Sequence, residues 1–504
     1  MRKTVFTLSA LIICIGLSAQ DMVTLTIRDT SGPLVSRNIY GHFSEDLGRC
    51  IYDGFWTGDK IRMDVVEALK KIRVPVLRWP GGCFADQYHW RDAIGPREHR
   101  KRTVNTTWGM VTEDNSFGTH EFLELCGLLG CQPYIAGNVG SGTPEEMENW
   151  LEYLNFNGKS SLADLRRQNG RDEPWKVSFW GVGNESWGCG GSMTPEYYAN
   201  EYNRYAEFCK NYPGAPLKLI ASGANGDDYH WTDAIMKNIS LWHTWGVSMH
   251  YYTLAGNWAH KGSATQFGED GYFKALAASL KMEDIINKHT AIMDKYDPGK
   301  KVALVVDEWG IWSDAEPGTN PAFLYQQNNL RDALIAASTL NIFNNHADRV
   351  KMANLAQTVN VLQALILTDK DRMLLTPTYF VFDLYKVHQD AKSLSLQFNS
   401  PDYVFGADRI PAVNASASRD SSGAVHISFV NIDPSKKITI RAGLPGIGYK
   451  SIQGRVLTSA KYTDINTFDQ PDKVRPASFS GAKKQGDELV VELPPMSVVV
   501  LELK

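Results

Sequence analysis

The sequence predicts an α/β chain in which a (β/α)8 TIM barrel is followed by a C-terminal antiparallel β-sandwich of jelly-roll type. Three observations support this fold. Short apolar β-type runs alternate with helical patterns between about residues 39 and 385. Polar residues stand at the ends of most of these runs, where a barrel carries its active site. From about Ser393, polar and apolar residues alternate between turns rich in Gly, Asn, Asp and Pro.

The predicted barrel has eight parallel strands, each a short apolar run. Helical patterns at 64–72, 120–129, 145–154, 195–210 and 329–344 fall between them. A doubly wound open sheet is the alternative, but its polar strand ends would gather at one switch point. The predicted strands end at Gly41-His42-Phe43, Val76-Leu77-Arg78, Tyr134-Ile135-Ala136, Phe179-Trp180-Gly181-Val182, Leu219-Ile220-Ala221, Val247-Ser248-Met249, Leu304-Val305-Val306 and Lys351-Met352-Ala353.

The chain divides into four predicted segments: a signal peptide at 1–20, an N-terminal strand at 21–38, the barrel at 39–385 and the sandwich at 386–504. The stretch from Met22 to Arg28 alternates like a sandwich strand, so we expect it to pair with the C-terminal domain. The apolar run from Val498 to Leu501 has the pattern of a buried strand. This pattern favours a sandwich that supports the barrel over one that binds carbohydrate.

The N-terminus has the composition of a cleavable secretory signal. Arg2 and Lys3 precede an apolar run at 5–17, and small residues lead to Gln20. The run is too short to span a bilayer, and no later stretch is long and apolar enough to do so. The sequence therefore predicts an exported protein, periplasmic or extracellular, without membrane insertion.

Composition argues against several classes of partner. The 52 Lys and Arg residues nearly balance the 56 Asp and Glu residues, for a net charge of -4, so we expect no nucleic acid partner.

Apart from Cys14 in the apolar run, six cysteines are scattered along the chain, without a C-x-x-C pair or zinc-site spacing to His. An even count in an exported protein permits disulfides, but buried free thiols are the simpler expectation. We predict no metal.

Two glutamates stand at the ends of strand-like runs, and this pattern predicts glycoside chemistry. Glu185 follows Gly183-Asn184 at the fourth predicted strand, and Glu308 follows Asp307 at the seventh. Both should therefore open onto the same barrel mouth. Cleavage of a sugar acetal needs one carboxylic acid to protonate the leaving oxygen and one carboxylate to attack or stabilise the anomeric carbon. Most glutamates are exposed or ion-paired, but solvation alone would not place a carboxylate at each of these strand ends.

The motifs at the predicted strand ends resemble those of glycoside hydrolase family 51, which consists mainly of α-L-arabinofuranosidases. The resemblance runs from the first barrel strand through the C-terminal sandwich. The six motifs, in the family's order, are Gly41-His42-Phe43-Ser44-Glu45, Leu77-Arg78-Trp79-Pro80-Gly81-Gly82, Gly181-Val182-Gly183-Asn184-Glu185, His250-Tyr251-Tyr252, Asp307-Glu308-Trp309-Gly310 and Asn354-Leu355-Ala356-Gln357.

The resemblance implies a retaining double displacement in which Glu185 is the acid/base and Glu308 the nucleophile. Arg78 and Tyr252 would each donate a hydrogen bond that stabilises the ionised nucleophile. The other residues that the resemblance assigns to the sugar pocket are Asn184 for the 2-hydroxyl, Glu45 and Gln357 for the remaining furanose hydroxyls, His250 on the acid/base side, and Trp108 and Trp312 as aromatic walls.

Two positions depart from the family's pattern. Cys83 follows Gly81-Gly82 where the best-known members carry an asparagine that touches the sugar, and a thiol is only a weak donor. Asp46 stands where a histidine is frequent. Both departures concern substrate binding, and neither removes a catalytic group.

The sequence thus predicts an exported, retaining, exo-acting α-L-arabinofuranosidase that releases terminal arabinofuranosyl groups from arabinoxylan, arabinan or their oligosaccharides. The resemblance implies no cofactor and suggests a homo-oligomer. An endo-acting xylanase or glucanase of a related barrel family would use the same two glutamates, but the long segments at 188–194 and 254–271 favour a closed pocket. A non-catalytic carbohydrate-binding protein would not require a nucleophile.

Overall fold

The eight-stranded barrel predicted from the sequence is present. The structure, a computed structural model, describes residues 22–30 and 32–504. Its closed barrel consists of parallel strands, and the last strand pairs with the first. The barrel strands, referred to below as the first to the eighth, are Gly41–Phe43, Val76–Trp79, Gln132–Gly137, Phe179–Val182, Lys218–Asn225, Gly246–Thr253, Ala303–Ile311 and Val350–Ala356. The predicted signal peptide at 1–20 lies outside the described residues.

Helices of the described residues surround the barrel, and none of them combines the length and the apolarity that a bilayer crossing requires. Two of the helices start alike, because Thr143 and Thr194 each accept a hydrogen bond from a backbone N–H of the first turn and each precede a proline. The α-helices are Met63–Lys71, Thr119–Leu129, Pro144–Asn155, Ser161–Gln168, Pro195–Phe208, Tyr229–Asn238, Glu269–Tyr296, Leu330–Asn345 and Pro377–Tyr385.

The β-sandwich has two sheets, and both ends of the described chain contribute to it. Met22–Arg28 pairs antiparallel with Ser395–Phe398 and parallel with Ile438–Gly443. One sheet has the order Ser395–Phe398, Met22–Arg28, Ile438–Gly443, Glu488–Leu493, Ala482–Gln485, and the other has the order Lys392–Ser393, Val413–Arg419, Val425–Asn431, Ser497–Leu503, Ile452–Thr458, Ala477–Ser478.

Short two-stranded ribbons complete the described strands. They lie in the loops of the barrel and at the start of the sandwich. The ribbons are Trp56–Thr57 with Lys60–Ile61, Thr103–Asn105 with Val111–Glu113, Ile366–Asp369 with Arg372–Leu375, and Asp402–Phe405 with Asp408–Pro411.

The helix Leu330–Asn345 joins the barrel to the sandwich. Its residues from Leu330 to Asn344 are all buried, although a surface helix normally exposes one face. Its polar side chains find partners on both sides: Asn344 accepts a hydrogen bond from Tyr40 Oη of the barrel at 2.8 Å and donates one to Ser416 Oγ of the sandwich at 3.1 Å. The two domains therefore share a core around this helix.

Candidate active site

The carboxyl ends of the fourth and seventh strands bring two glutamates together. Glu308 lies within the seventh strand, and Glu185 follows the fourth strand by three residues. The chain turns sharply between Gly183, at φ +84°, and Glu185, at φ +39°, so the turn requires the freedom of glycine at its start. One carboxylate oxygen of Glu185 and one of Glu308 lie within 4.8 Å of each other. Both side chains therefore point into one mouth of the barrel.

Glu308 receives two strong hydrogen bonds. Arg78 Nη1 donates to its Oε1 at 2.8 Å, and Tyr252 Oη donates to its Oε2 at 2.7 Å. A Cβ atom on Gly82 would lie 2.5 Å from Glu308 Oε1, so only glycine leaves room for the carboxylate there. Hydrogen bonds to a carboxylate are short and strong, and these two hold the Glu308 side chain in one position.

Glu185 is held by fewer hydrogen-bond donors than Glu308. Burial raises the pKa of Glu185, and the charge of Glu308 adds to the rise, while a hydrogen bond with His250 opposes it. That bond joins His250 Nδ1 to Glu185 Oε1 at 2.9 Å. A carboxyl group whose pKa is raised can hold a proton near neutral pH, as a general acid must.

A disulfide bond between Cys83 and Cys189 lies against Glu185. The sulfur atoms of Cys83 and Cys189 are 3.7 Å and 3.4 Å from Glu185 Oε2. The expectation of free thiols is wrong for this pair, because the loops after the second and fourth strands meet at the barrel mouth although the cysteines are 106 residues apart. The other cysteines of the described residues, Cys50, Cys126, Cys131 and Cys209, are free.

Glu45 anchors the opposite side of the cavity. Its Oε1 accepts hydrogen bonds from the backbone N–H groups of Gly82 and Phe84, at 3.1 and 2.9 Å, and from Trp108 Nε1 at 2.9 Å. Its Oε2 accepts a hydrogen bond from Gln357 Nε2 at 3.0 Å. Burial and the charge of Glu308 raise the pKa of Glu45 to about 7, although these donors lower it.

Most of the sequence-predicted site residues line one cavity. Three are not among the lining residues: Arg78 and His250 contact the two carboxylates, and Asn184 contacts Arg78. Arg78 Nη2 donates to Asn184 Oδ1 at 2.6 Å, so Asn184 belongs to the same hydrogen-bonded group. The predicted residues that line the cavity are Glu45, Cys83, Trp108, Glu185, Tyr252, Glu308, Trp312 and Gln357.

The apolar part of the cavity wall was not predicted from the sequence. Leu47, Leu324 and Leu362 line it. A leucine outside a periodic pattern carries no sequence signal that separates a pocket wall from an ordinary core position. Trp258, in the long loop after the sixth strand, was missed as well. It is 55% exposed and its ring packs edge-on against Trp312, so it extends the aromatic wall outward.

Asp307 and Tyr134 were also missed as members of the site. Tyr134 Oη donates to Asp307 Oδ2 at 2.7 Å, and Asp307 Oδ1 lies 3.1 Å from His250 Nε2. Burial favours the neutral form of Asp307, but the charges of Arg78 and His250 outweigh it and lower the pKa of Asp307. The sequence did offer a clue to Asp307, because it adjoins the candidate nucleophile in the motif Asp307-Glu308.

Two carboxylates and one imidazole of the site lie close enough together to share a metal ion. One ligand atom each of Glu185, His250 and Glu308 lie within 4.8 Å of one another. These donors are engaged with each other and with Arg78 and Tyr252, and the sulfur atoms nearby form the disulfide. The group is therefore an ion-paired cluster rather than a metal site.

Two family models match the chain. The model described as "Alpha-L-arabinofuranosidase 1 domain" matches residues 68–270, and the model described as "Alpha-L-arabinofuranosidase C-terminal domain" matches residues 307–497. The first match includes the loop with Glu185, and the second begins at the Asp307-Glu308 motif. Together they span the barrel mouth and the sandwich.

Two curated relatives align over most of the chain. A Bacteroides ovatus protein named "Intracellular exo-alpha-L-arabinofuranosidase" is 51% identical over 97% of this chain and 97% of its own length. The Emericella nidulans "Alpha-L-arabinofuranosidase C" is 31% identical over 85% of this chain and 88% of its own length.

Solved structures agree with the sequence comparisons. The GH51 arabinofuranosidase from Xanthomonas axonopodis pv. citri superimposes with a TM-score of 0.95 at 50% identity, covering 96% of this chain and 100% of that one. An α-L-arabinofuranosidase from Thermotoga maritima, solved as an arabinose complex, gives a TM-score of 0.81 at 30% identity and covers 95% and 99% of the two chains.

The prediction of export was wrong. The Bacteroides ovatus relative, at 51% identity over nearly the full length, is named an intracellular enzyme. The prediction rested on residues 1–20, which lie outside the described residues. A basic start and a short apolar run have the composition of a secretory leader, but composition alone does not determine whether the export machinery recognises the segment.

Proposed function

The chain belongs to glycoside hydrolase family 51 and is therefore a glycoside hydrolase, and on this premise we propose that it is a retaining, exo-acting α-L-arabinofuranosidase. The observation that carries the proposal is the unequal carboxylate pair. Glu308 is held by Arg78 and Tyr252 as an anion, and burial raises the pKa of Glu185. One group is suited to attack and the other to donate a proton.

The short distance between the two glutamates supports retention of configuration. Retaining glycosidases place their carboxyl groups about 5 Å apart, whereas inverting ones need about 6.5–9.5 Å to admit a water molecule. Oxygens of Glu185 and Glu308 lie within 4.8 Å of each other. This spacing supports a role for Glu308 as the nucleophile rather than as a base that activates water.

In the proposed reaction, Glu308 attacks the anomeric carbon while Glu185 gives its proton to the leaving oxygen. The glycosyl–enzyme ester neutralises Glu308, so the pKa of Glu185 falls and its carboxylate can take a proton from the incoming water. Water then displaces Glu308, and the sugar leaves with its original configuration. We assign Asn184 to the 2-hydroxyl, and Glu45 and Gln357 to the remaining hydroxyls, as the family resemblance implies.

The shape of the cavity supports exo action. Leu324 and Leu362 close one side with apolar side chains, and Trp108 and Trp312 form aromatic walls. This apolar and aromatic lining supports a pocket for one terminal sugar. We propose terminal arabinofuranosyl groups of arabinoxylan, arabinan or their oligosaccharides as substrates. We also propose a homo-oligomer, which analytical ultracentrifugation would test.

The decisive experiment measures hydrolysis of aryl α-L-arabinofuranoside against aryl β-D-xyloside, and of arabinoxylan against xylan. The anomer of the product is followed by NMR. We expect arabinose released with retention, and none from Glu308→Ala. In Glu185→Ala, azide should restore turnover and give the α-configured glycosyl azide. Cleavage of xylan without release of arabinose would refute exo specificity, and an inverted product would refute the double displacement.

A further inference from the structure

A continuous chain of polar contacts runs behind the two glutamates. Tyr134 Oη donates to Asp307 Oδ2 at 2.7 Å, Asp307 Oδ1 lies 3.1 Å from His250 Nε2, and His250 Nδ1 lies 2.9 Å from Glu185 Oε1. His250 is only 4% exposed and Asp307 only 1%. Asp307 touches neither Glu185 nor the cavity. Its contact with the acid runs through His250, and its Oδ2 also lies 3.6 Å from Nε of Arg78, which holds Glu308.

We propose that Asp307 is a positioning residue that keeps His250 as an imidazolium, so that Nδ1–H occupies Oε1 of Glu185 and the acid's proton is carried on Oε2. This inference rests on the proposed retaining glycosidase function and deepens it. Oε2 is the oxygen beside the sulfur of Cys83, which lines the cavity. The proton of the acid would then stand on the side from which the leaving oxygen approaches.

The ion-pair contact with Asp307 favours a proton on one ring nitrogen of His250. An ionised Asp307 can only accept, Tyr134 donates to its Oδ2, and its buried Oδ1 faces His250 Nε2 at 3.1 Å, so a positive N–H at Nε2 is favoured there. The open question is whether Nδ1 also carries a proton. If it did not, its lone pair would draw the proton of Glu185 onto Oε1 and hold it away from the substrate.

The position of Nδ1 favours the protonated form. It lies 2.9 Å from Glu185 Oε1 and 3.5 Å from Glu308 Oε2, so it faces two carboxyl oxygens. A lone pair would be repelled by both, whereas an N–H is attracted to both. Burial alone would lower the pKa of His250, but the charge of Glu308 and the contacts with Asp307 and Glu185 raise it to about 10.

The net charge of the buried cluster leads to the same conclusion. When Glu185 carries its proton, Arg78 and an imidazolium His250 balance the carboxylates of Asp307 and Glu308. With a neutral His250, the cluster would hold one uncompensated negative charge in a buried site, which is costly. The titratable and charged groups that surround His250 are Glu185, Asp307, Glu308 and Arg78, and beyond them Tyr134, Tyr198, Tyr252, Glu45 and Asp86.

The test combines a direct measurement on the wild type with a variant. Histidine-selective ¹⁵N NMR, with His250 assigned through His250→Gln, reports whether both ring nitrogens are protonated. We expect an imidazolium at pH 7–8 in the wild-type enzyme. In Asp307→Asn, His250 should lose its proton at a lower pH, because the carboxylate that balances it is gone.

The same variant should show a leaving-group-dependent defect. A benzyl or xylosyl leaving group needs the proton of Glu185, whereas a 2,4-dinitrophenyl group departs without it. For the poor leaving group we expect Asp307→Asn to lower kcat/KM by about tenfold or more and to move its alkaline limb to lower pH, since a general acid contributes roughly 10²–10⁴-fold. The dinitrophenyl substrate should lose much less. Asp332→Asn, an equally buried carboxylate paired with Arg331 outside this cluster, is the matched control and should leave the alkaline limb unmoved.

Two results would overturn the inference: a neutral His250 in the wild type at pH 7, or a defect of Asp307→Asn that is equal for both leaving groups with an unmoved limb. The wild-type spectrum tests the imidazolium itself even if Asp307→Asn does not fold. Wild-type enzyme that hydrolyses neither arabinofuranoside would refute the proposed function instead, and the charge state of His250 would still be read from the same spectra.

Discussion

Tyr252 and Tyr251 are neighbours in the sixth strand. Replacement by Phe should lower activity at Tyr252 and stability at Tyr251. Tyr252 Oη donates to Glu308 Oε2 at 2.7 Å, whereas Tyr251 Oη donates to the carbonyl of Ala278 at 2.7 Å, in the helix Glu269–Tyr296. Tyr252→Phe removes a donor from the proposed nucleophile. Tyr251→Phe removes a bond of equal length that has no part in the site.

The expected loss follows from the charge of the acceptor. A hydrogen bond to an ionised group contributes about 1.5–3 kcal/mol, which corresponds to a roughly 10- to 100-fold lower kcat/KM for Tyr252→Phe. The loss should stop there, because Arg78 still donates to Glu308 Oε1 at 2.8 Å. Tyr251→Phe should lower the free energy of unfolding by about 0.5–1.5 kcal/mol, as for a neutral hydrogen bond, and leave turnover unchanged.

The assay is hydrolysis of 4-nitrophenyl α-L-arabinofuranoside, with urea unfolding of each variant as the stability measurement. If Tyr252→Phe kept full activity, the phenol would not stabilise the nucleophile. If both variants lost activity to the same degree, strand disruption rather than the contact with Glu308 would be the cause.

Other expected outcomes test neighbouring features. Gly82→Ala should lower kcat about 100-fold or more in the same assay, because its Cβ would lie 2.5 Å from Glu308 Oε1 and a displacement of about 1 Å can cost that much; near-normal activity would show that the loop can yield. Alkylation of the unfolded, unreduced protein should spare Cys83 and Cys189, and reduction should lower the free energy of unfolding by about 2–4 kcal/mol; full labelling would contradict the bond. Burial lowers the pKa of His42 to about 3, so unfolded chains bind its proton first and stability should fall as pH drops from about 6.5 towards 3, by about 1.4 kcal/mol per pH unit. His42→Gln should flatten that slope in urea unfolding, and an unchanged slope would refute its cause.

The barrel could be predicted because its strands carry a local signal. Each run such as Leu304-Val305-Val306 is short and apolar, and this pattern needs no knowledge of distant contacts, although the strand itself continues to Ile311. The same locality placed Glu185 and Glu308 at one mouth, because the carboxyl ends of parallel barrel strands meet there. Residues whose position is set by a single barrel strand could therefore be predicted from the sequence.

Features that depend on two loops meeting could not be predicted. Cys83 and Cys189 are 106 residues apart, and nothing in either neighbourhood indicates the other. Leu324 and Leu362 line the cavity because of loop paths that hydrophobic periodicity does not describe. The motifs also could not distinguish residues that line the cavity from Arg78, which does not line it, since both kinds stand at or near the carboxyl ends of strands.

The place of Met22–Arg28 in the sandwich bears on how the polypeptide is made. Its neighbours in the sheet, Ser395–Phe398 and Ile438–Gly443, are translated only after the whole barrel. An emerging chain must therefore carry an apolar strand without hydrogen-bonding partners for most of its synthesis, and such edges are prone to pair with other chains. A chain whose synthesis stops before Glu488–Leu493 and Ser497–Leu503 would have a barrel with both sandwich sheets incomplete, so these late strands should matter as much for solubility as the catalytic region.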